Sequence, residues 1–218
     1  MKVIIQCAGS KRQNAGMLKT KDGRSVFFVG NPGLVRGTAS RVYARPDDLS
    51  DQGVSWRHVA SAYNENGNAK LLGIVPAFEL YDNGIYRALV ARFGISGVFV
   101  LSAGWGLIKA DFLTPNYDIT FSAAADKLVR RRKSEKYDDF CMLPNDTNDA
   151  IVFLGGKDYI PLFVELTRTV KGKRTVFYNS ISPPIAPGCR LKKFETRTKT
   201  NWHYECAAAL IGGSISVD

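Results

Sequence analysis

Residues 97–122 read GVFVLSAGWGLIKADFLTPNYDITFS, and the first six of them decide the fold class. Val98, Phe99, Val100 and Leu101 make an uninterrupted apolar run closed by Ser102, the pattern of a short strand buried on both faces. Three further runs share it: Lys2–Cys7 (KVIIQC), Ala150–Leu154 (AIVFL) and Thr175–Tyr178 (TVFY), each followed by small or polar residues.

Helical signals fall between these runs. Ser55 can cap a helix that carries Trp56, Ala60 and Tyr63 on one face and ends near Gly67. A second helix is predicted from Pro76, its apolar stripe of Phe78, Tyr81, Ile85, Leu89 and Phe93 keeping the helical period until Gly94 stops it. Asp158 opens a third, with Tyr159, Leu162, Phe163 and Leu166 inward, and a last one starts at Thr200 or Asn201 and stops at Gly212-Gly213. Alternation of apolar strands with helices predicts one α/β domain over residues 1–218, with a central, mostly parallel four-stranded sheet flanked by helices. The stretch from about Arg24 to Asp51 breaks the rhythm. It is rich in Gly, Pro, Asn and Asp around the β-like Ser25–Val29, and reads as a β-hairpin or an irregular insertion.

With 218 residues, 45% hydrophobic and 23% charged, the chain can bury one main core, which excludes disorder as the governing theme. The excess of 30 Lys+Arg over 20 Asp+Glu, a net charge of +10, favours a polyanionic partner. The opening MKVIIQCAGSKR is too short an apolar run for a signal peptide or a membrane span and reads as a buried first strand. Cys7, Cys141, Cys189 and Cys206 form no CxxC pair, and only His58 and His203 could join them as ligands, so neither a zinc site nor any cofactor is expected. Reduced, mostly buried thiols suit a cytoplasmic protein with no membrane association. A monomer is the expected state.

In open parallel sheets ligands bind beyond the carboxyl ends of the strands, so the segments after each strand are the informative ones. After the first comes CAGSKR (7–12). Its glycine lets backbone amides approach an anion while Lys11 and Arg12 supply charge, although it lacks the spacing of a phosphate-binding loop; the competing reading is a tight turn with solvated basic residues. After the second strand, Trp105 between Gly104 and Gly106 can protrude and stack on an extruded base, as can Tyr117, and Asp111 or Asp118 can orient water. Asp118 could equally close a turn and Tyr117 sit in the core, whereas Asp111 has no evident capping register. GGKDY (155–159) brings Lys157, and YNSISPP (178–184) brings Asn179. Arg130, Arg131, Arg132 and Lys133, on a helix predicted from Ser122, read either as a solvated face or as phosphate contacts, and the net charge favours contact. Arg197 and Lys199 form a second basic patch before Asn201 and His203, which can meet a phosphate or a base or else serve as cap and core.

Taken together, CAGSK (7–11), SWRHVASAYN (55–64), the 101–122 stretch, FLGGKDYIPLF (153–163), FYNS (177–180) and TRTKTNWHYECA (196–207) resemble a bacterial and phage group related to the YaaA proteins. That group looks like a branch of the uracil-DNA-glycosylase-like fold, and is similar to a domain of archaeosine-synthesis enzymes that act on a deazaguanine in tRNA. Some members look like antiphage glycosylases that excise bulky, sugar-decorated pyrimidines from viral DNA. The resemblance implies a four-stranded parallel sheet whose strand ends form a nucleobase pocket. Cys7, Ser10, Lys11, Trp105 and Tyr117 would line it, Asn179 and the 201–204 turn would close it, and DNA would be the partner. Neither the GQDPYH nor the HPSPLS motif of uracil-DNA glycosylases occurs in the chain. The function expected is therefore a DNA glycosylase that flips a modified base and leaves an abasic site, with Asp111 first and Asp118 second as the carboxylate that manages water and the sugar cation. The rivals are a transferase or synthase acting on a deazaguanine base in DNA or tRNA and a stress-linked DNA-binding module.

Overall fold

The computed structural model of the chain describes residues 1–65, 72–196 and 200–217. In chain order its strands and α-helices are β1 (Lys2–Gln6), β2 (Ser25–Val29), β3 (Arg41–Ala44), α1 (Trp56–Glu65), β4 (Val75–Pro76), α2 (Ala77–Leu80), α3 (Ile85–Phe93), β5 (Val98–Ser102), β6 (Gly106–Lys109), β7 (Leu113–Thr114), β8 (Tyr117–Asp118), β9 (Phe140–Cys141), β10 (Ile151–Leu154), α4 (Ile160–Leu166), β11 (Arg174–Tyr178), β12 (Cys189–Lys193) and α5 (Trp202–Ile211).

The four apolar runs form the middle of the main sheet as β11-β10-β1-β5, all parallel, and their side chains make up much of the core. The sheet is wider than expected, with seven strands in the order β12-β11-β10-β1-β5-β6-β9. The polar β12 adds in parallel outside β11, and β6 turns back antiparallel on β5 before β9 pairs with β6. The turn back needs a residue in the left-handed region, and Gly106 provides it at φ +84°. Ser102 steadies the loop, its Oγ accepting from the backbone N–H groups of Gly104 (3.1 Å) and Trp105 (3.0 Å).

Residues 24–51 are not a hairpin. β2 and β3 run parallel, joined by a crossing segment, and β8 pairs on the other side of β2, which makes a second, three-stranded parallel sheet. The helix expected from Pro76 to Phe93 is broken in two: Tyr81 bridges to Lys11 instead of continuing α2, and Asn83 Oδ1 accepts the Ile85 N–H (2.9 Å) to restart the chain as α3. Ser55 caps α1 as expected, accepting the His58 N–H at 3.1 Å, and Gly94 ends α3 at φ +76°. The expected end of α1 near Gly67 lies outside the described residues. Residues 122–133 form turns rather than a helix, because Thr120 and Arg130 bridge and hold the backbone extended there. α3 packs against α5, and α4 lays Phe163 on Phe153 of β10 (4.7 Å between centroids, 13°). Among the described residues no helix is long and apolar enough to cross a membrane.

Candidate functional site

The carboxyl ends of β1, β10 and β11 open into two adjoining cavities. One, of about 340 Å³, is lined by residues that include Gln6, Cys7, Thr120, Tyr159, Asn201 and His203. The other, of about 460 Å³, includes Lys157, Tyr178, Asn179 and Ile181. Gly156, Asp158 and Trp202 belong to both, so the two form one cleft across the strand ends. Either volume falls in the range typical of small-molecule sites, about 300–1,000 Å³.

Beneath the cleft lies a layer of tyrosines around Cys7. The Cys7 thiol is 3.3 Å from the Tyr159 hydroxyl, Tyr81 and Tyr117 share a hydroxyl–hydroxyl hydrogen bond of 2.9 Å, and Tyr86 donates to the Gln6 carbonyl at 2.8 Å. Gln6 Oε1 accepts the Gly156 N–H (2.6 Å), which fixes the glycine turn after β10 against β1. Burial holds the Tyr81, Tyr86, Tyr117 and Tyr159 hydroxyls well above their ordinary pKa, so all are neutral. Lys11 lies over the Tyr117 ring, 4.4 Å from its centroid. Its pKa is lowered by burial, with Cys7 and Asp118 partly offsetting the shift.

His203 is a buried residue of this wall with an unpartnered side-chain nitrogen. It is 4% exposed on the first turn of α5, burial lowers its pKa to about 4, and its Nε2 has no hydrogen-bond partner among the described residues. The imidazole is therefore neutral at pH 7, which suits a hydrogen bond to a polar ligand and not a charge contact with phosphate. Asn201 just before it adopts the left-handed conformation at φ 60°, the only positive φ at a non-glycine among the described residues.

Several expected site residues converge here. Cys7, Lys157, Asn179, Asn201 and His203 all line the cleft, and Ser10 and Lys11 follow directly on the β1 loop. Tyr117, expected to stack on a base, is instead 2% exposed, bonded to Tyr81 and covered by Lys11, so it is core beneath the cleft and lines neither cavity. Arg12 is exposed and pairs with Glu79 at 3.4 Å.

Three further expectations are corrected by position. Asp111 lies at the other end of the sheet: β6 runs back along β5 until Ala110 donates to Val98 at the start of β5 (3.1 Å), and Asp111 then faces a separate cavity with Ser61, Lys109 and Met142. Trp105 does not protrude. It is 0% exposed, stacked on Phe140 and edge-on to Phe28 at 5.0 Å, so it is core. Arg131 is 3% exposed and forms a two-pronged pair with Asp139 (2.7 and 3.0 Å) plus a bond to the Ala103 carbonyl (2.8 Å), so it holds the fold and is unavailable to DNA. Its neighbours Arg130 and Arg132 instead line a further pocket beside β2 and β3. Arg197 and Lys199 lie outside the described residues.

Sequence reading missed Asp158, which lines both halves of the cleft and binds Lys133 Nζ at 2.5 Å. In the sequence it reads only as the opening of a helix; its place directly after Gly155-Gly156 at a strand end, one lysine on, was the available signal. Thr120, Tyr159 and Trp202 were missed because each also fits a core or turn pattern.

Fold and site thus define an α/β protein with a polar, aromatic-walled cleft at the carboxyl edge of a parallel sheet. Comparison with family models, with curated proteins and with solved structures finds no match to this chain.

Proposed function

We propose that this chain is a DNA glycosylase that takes an extruded, modified base into the cleft at the ends of β1, β10 and β11 and releases it by hydrolysis. The observation that carries the reading is His203, a nearly buried, neutral imidazole on the cleft wall whose Nε2 has no partner among the described residues. Buried polar groups are almost always bonded, so an open one beside a cavity fits a ligand that completes it. The motif resemblance to YaaA-related proteins and the net charge of +10 support a nucleic-acid substrate.

In this reading Trp202 and Tyr159 offer aromatic faces, while His203 and Asn179 offer hydrogen bonds to the edge of the base. Asp158 takes the role that the sequence alone gives to Asp111. As the C1′–N bond breaks, its carboxylate counters the positive charge on the sugar and orients the water that adds hydroxyl to C1′, while the departing base takes up a proton. The Lys133 ammonium at 2.5 Å keeps Asp158 in place. Asp118, whose charge acts on Lys11, lines neither cavity and is the second choice of carboxylate.

The test is incubation with normal and phage-modified DNA, single- and double-stranded, read by alkaline cleavage and by mass spectrometry of free bases. Release of a modified base with an alkali-labile strand supports the reading. An alkali-stable strand of altered base mass would make the protein a base-modifying transferase, and binding without either change would make it a DNA-binding module.

A further inference from the structure

A second pocket, of about 360 Å³, opens at the carboxyl ends of β2 and β3 in the small sheet. It is lined by Asn31, Gly33, Leu34, Arg45, Lys127, Arg130 and Arg132: four cations and no carboxylate. Among the described residues none of the four cations is in an ion pair. Glu135, the nearest acid in sequence to Arg132 on its carboxyl side, is spent on the Arg132 backbone N–H at 2.9 Å.

The pocket is built rather than a chance gathering of surface lysines and arginines. Arg45 is fixed by donating from Nε to the Gly30 carbonyl at 2.8 Å, and Arg130 by donating to the Ala123 carbonyl at 2.9 Å. The Asn31 side-chain amide donates to the Arg130 carbonyl (2.8 Å) and the Lys127 carbonyl (2.5 Å), and the Asn31 N–H donates to the Leu128 carbonyl at 2.8 Å. Close approach at Gly30 allows this stapling, since a Cβ there would lie 2.7 Å from the Arg130 carbonyl group. Holding like charges together in a fixed frame costs free energy, which an anion would recover.

We infer that this pocket binds a phosphate oxyanion, and that the phosphate belongs to the backbone of the nucleic-acid strand whose base enters the cleft. The placement favours that source: residues 120–133 form the wall between the two sites, with Thr120 and Ser122 on the cleft side and Lys127, Arg130 and Arg132 on the other. Arg131 points inward between them, as alternation along an extended backbone requires. The inference rests on the nucleic-acid reading above but not on glycosylase chemistry.

The experiment measures binding of an unmodified, fluorescently labelled DNA duplex over a series of salt concentrations, so that no turnover is needed. The Lys127→Gln/Arg132→Gln double variant removes two pocket cations whose side chains hold no ion pair among the described residues, with a melting curve to confirm folding. Lys173→Gln, just before β11 at the amino ends of β10, β11 and β12, is the control. The double variant is expected to bind at least about tenfold more weakly at low salt, with a log–log salt slope shallower by about 0.9 for each phosphate it no longer neutralises. Lys173→Gln should match the parent. Equal weakening in the control, or an unchanged slope in the double variant, overturns the site. A parallel titration with inorganic pyrophosphate separates the sources: binding of pyrophosphate that depends on Lys127 and Arg132, in a protein that does not bind DNA, overturns the backbone assignment. A slope change in a protein that releases no base upholds this pocket while the glycosylase reading fails, and base release with an unchanged slope does the reverse.

Discussion

Replacing His203 by Gln should remove a defined part of the acid sensitivity of the fold. The imidazole has a pKa of about 4 in the folded chain against an ordinary 6.5, because burial penalises its charged form. The unfolded chain therefore takes up the proton first as pH falls. Stability from this group is complete above about pH 6.5, declines between about 6.5 and 4, and is gone below the folded pKa. A shift of this size, at about 1.36 kcal/mol per unit, sets an upper limit of about 3 kcal/mol. Urea unfolding of parent and His203→Gln from about pH 7.5 to about pH 4 measures it, with equal m values confirming that the same surface is exposed. The parent should lose more stability than the variant across that window, by up to about 3 kcal/mol, while the two differ little in pH dependence above it. Parallel pH profiles would refute the assignment of a buried neutral imidazole. The same property bears on ligand choice: affinity governed by a neutral His203 stays flat as pH falls through about 6.5, whereas a phosphate contact to a charged imidazole would strengthen there.

Asp158→Asn should lower single-turnover base release by at least about a hundredfold with the melting temperature close to the parent, while Asp111→Asn releases base normally; the reverse pattern returns the carboxylate role to the far end of the sheet. Trp105→Ala should cost about 3–5 kcal/mol in urea unfolding and leave DNA affinity per folded molecule intact, and weakened affinity in a fully stable variant would contradict its place in the core. Arg131→Ala should cost about 3–5 kcal/mol, because Asp139 is left buried without its partner, and should not alter the salt slope of DNA binding. A shallower slope in a stable Arg131 variant would put that side chain on the DNA after all.

The parallel core was legible because Val98–Leu101, Ile151–Leu154 and the centres of their two companions, Val3–Ile5 and Val176–Phe177, are apolar without interruption, the pattern of short strands covered on both faces. β12 escaped notice because CRLKK sits at an edge and needs no apolar face, and β6 because GLIK is short and lies inside what reads as a loop. Missing β6 displaced Asp111: residues after a strand stay at its carboxyl edge only if the chain does not turn back, and here the left-handed Gly106 turns it back. The same hairpin encloses Trp105 between Phe28 and Phe140, so flanking glycines marked a tight turn and not a protruding ring. Composition could not sort Arg130, Arg131 and Arg132, since their division between pocket and core depends on the Thr120 bridge and on Asp139 further along the chain. The loops at Cys7, Lys157, Asn179 and His203 converge because a parallel sheet brings the carboxyl ends of its strands together.

The most direct test of the account is mass spectrometry of free base released from phage-modified DNA by the parent and by Gly156→Leu, which adds a side chain at a residue lining both cavities, where a Cβ meets only Gln6 Oε1, at 3.4 Å. The parent should release a modified base and leave an alkali-labile strand, and the folded Gly156→Leu protein should release none. Release undiminished in Gly156→Leu, or no base released by the parent from any modified DNA, would contradict the claim that this cleft is where a base is bound and excised.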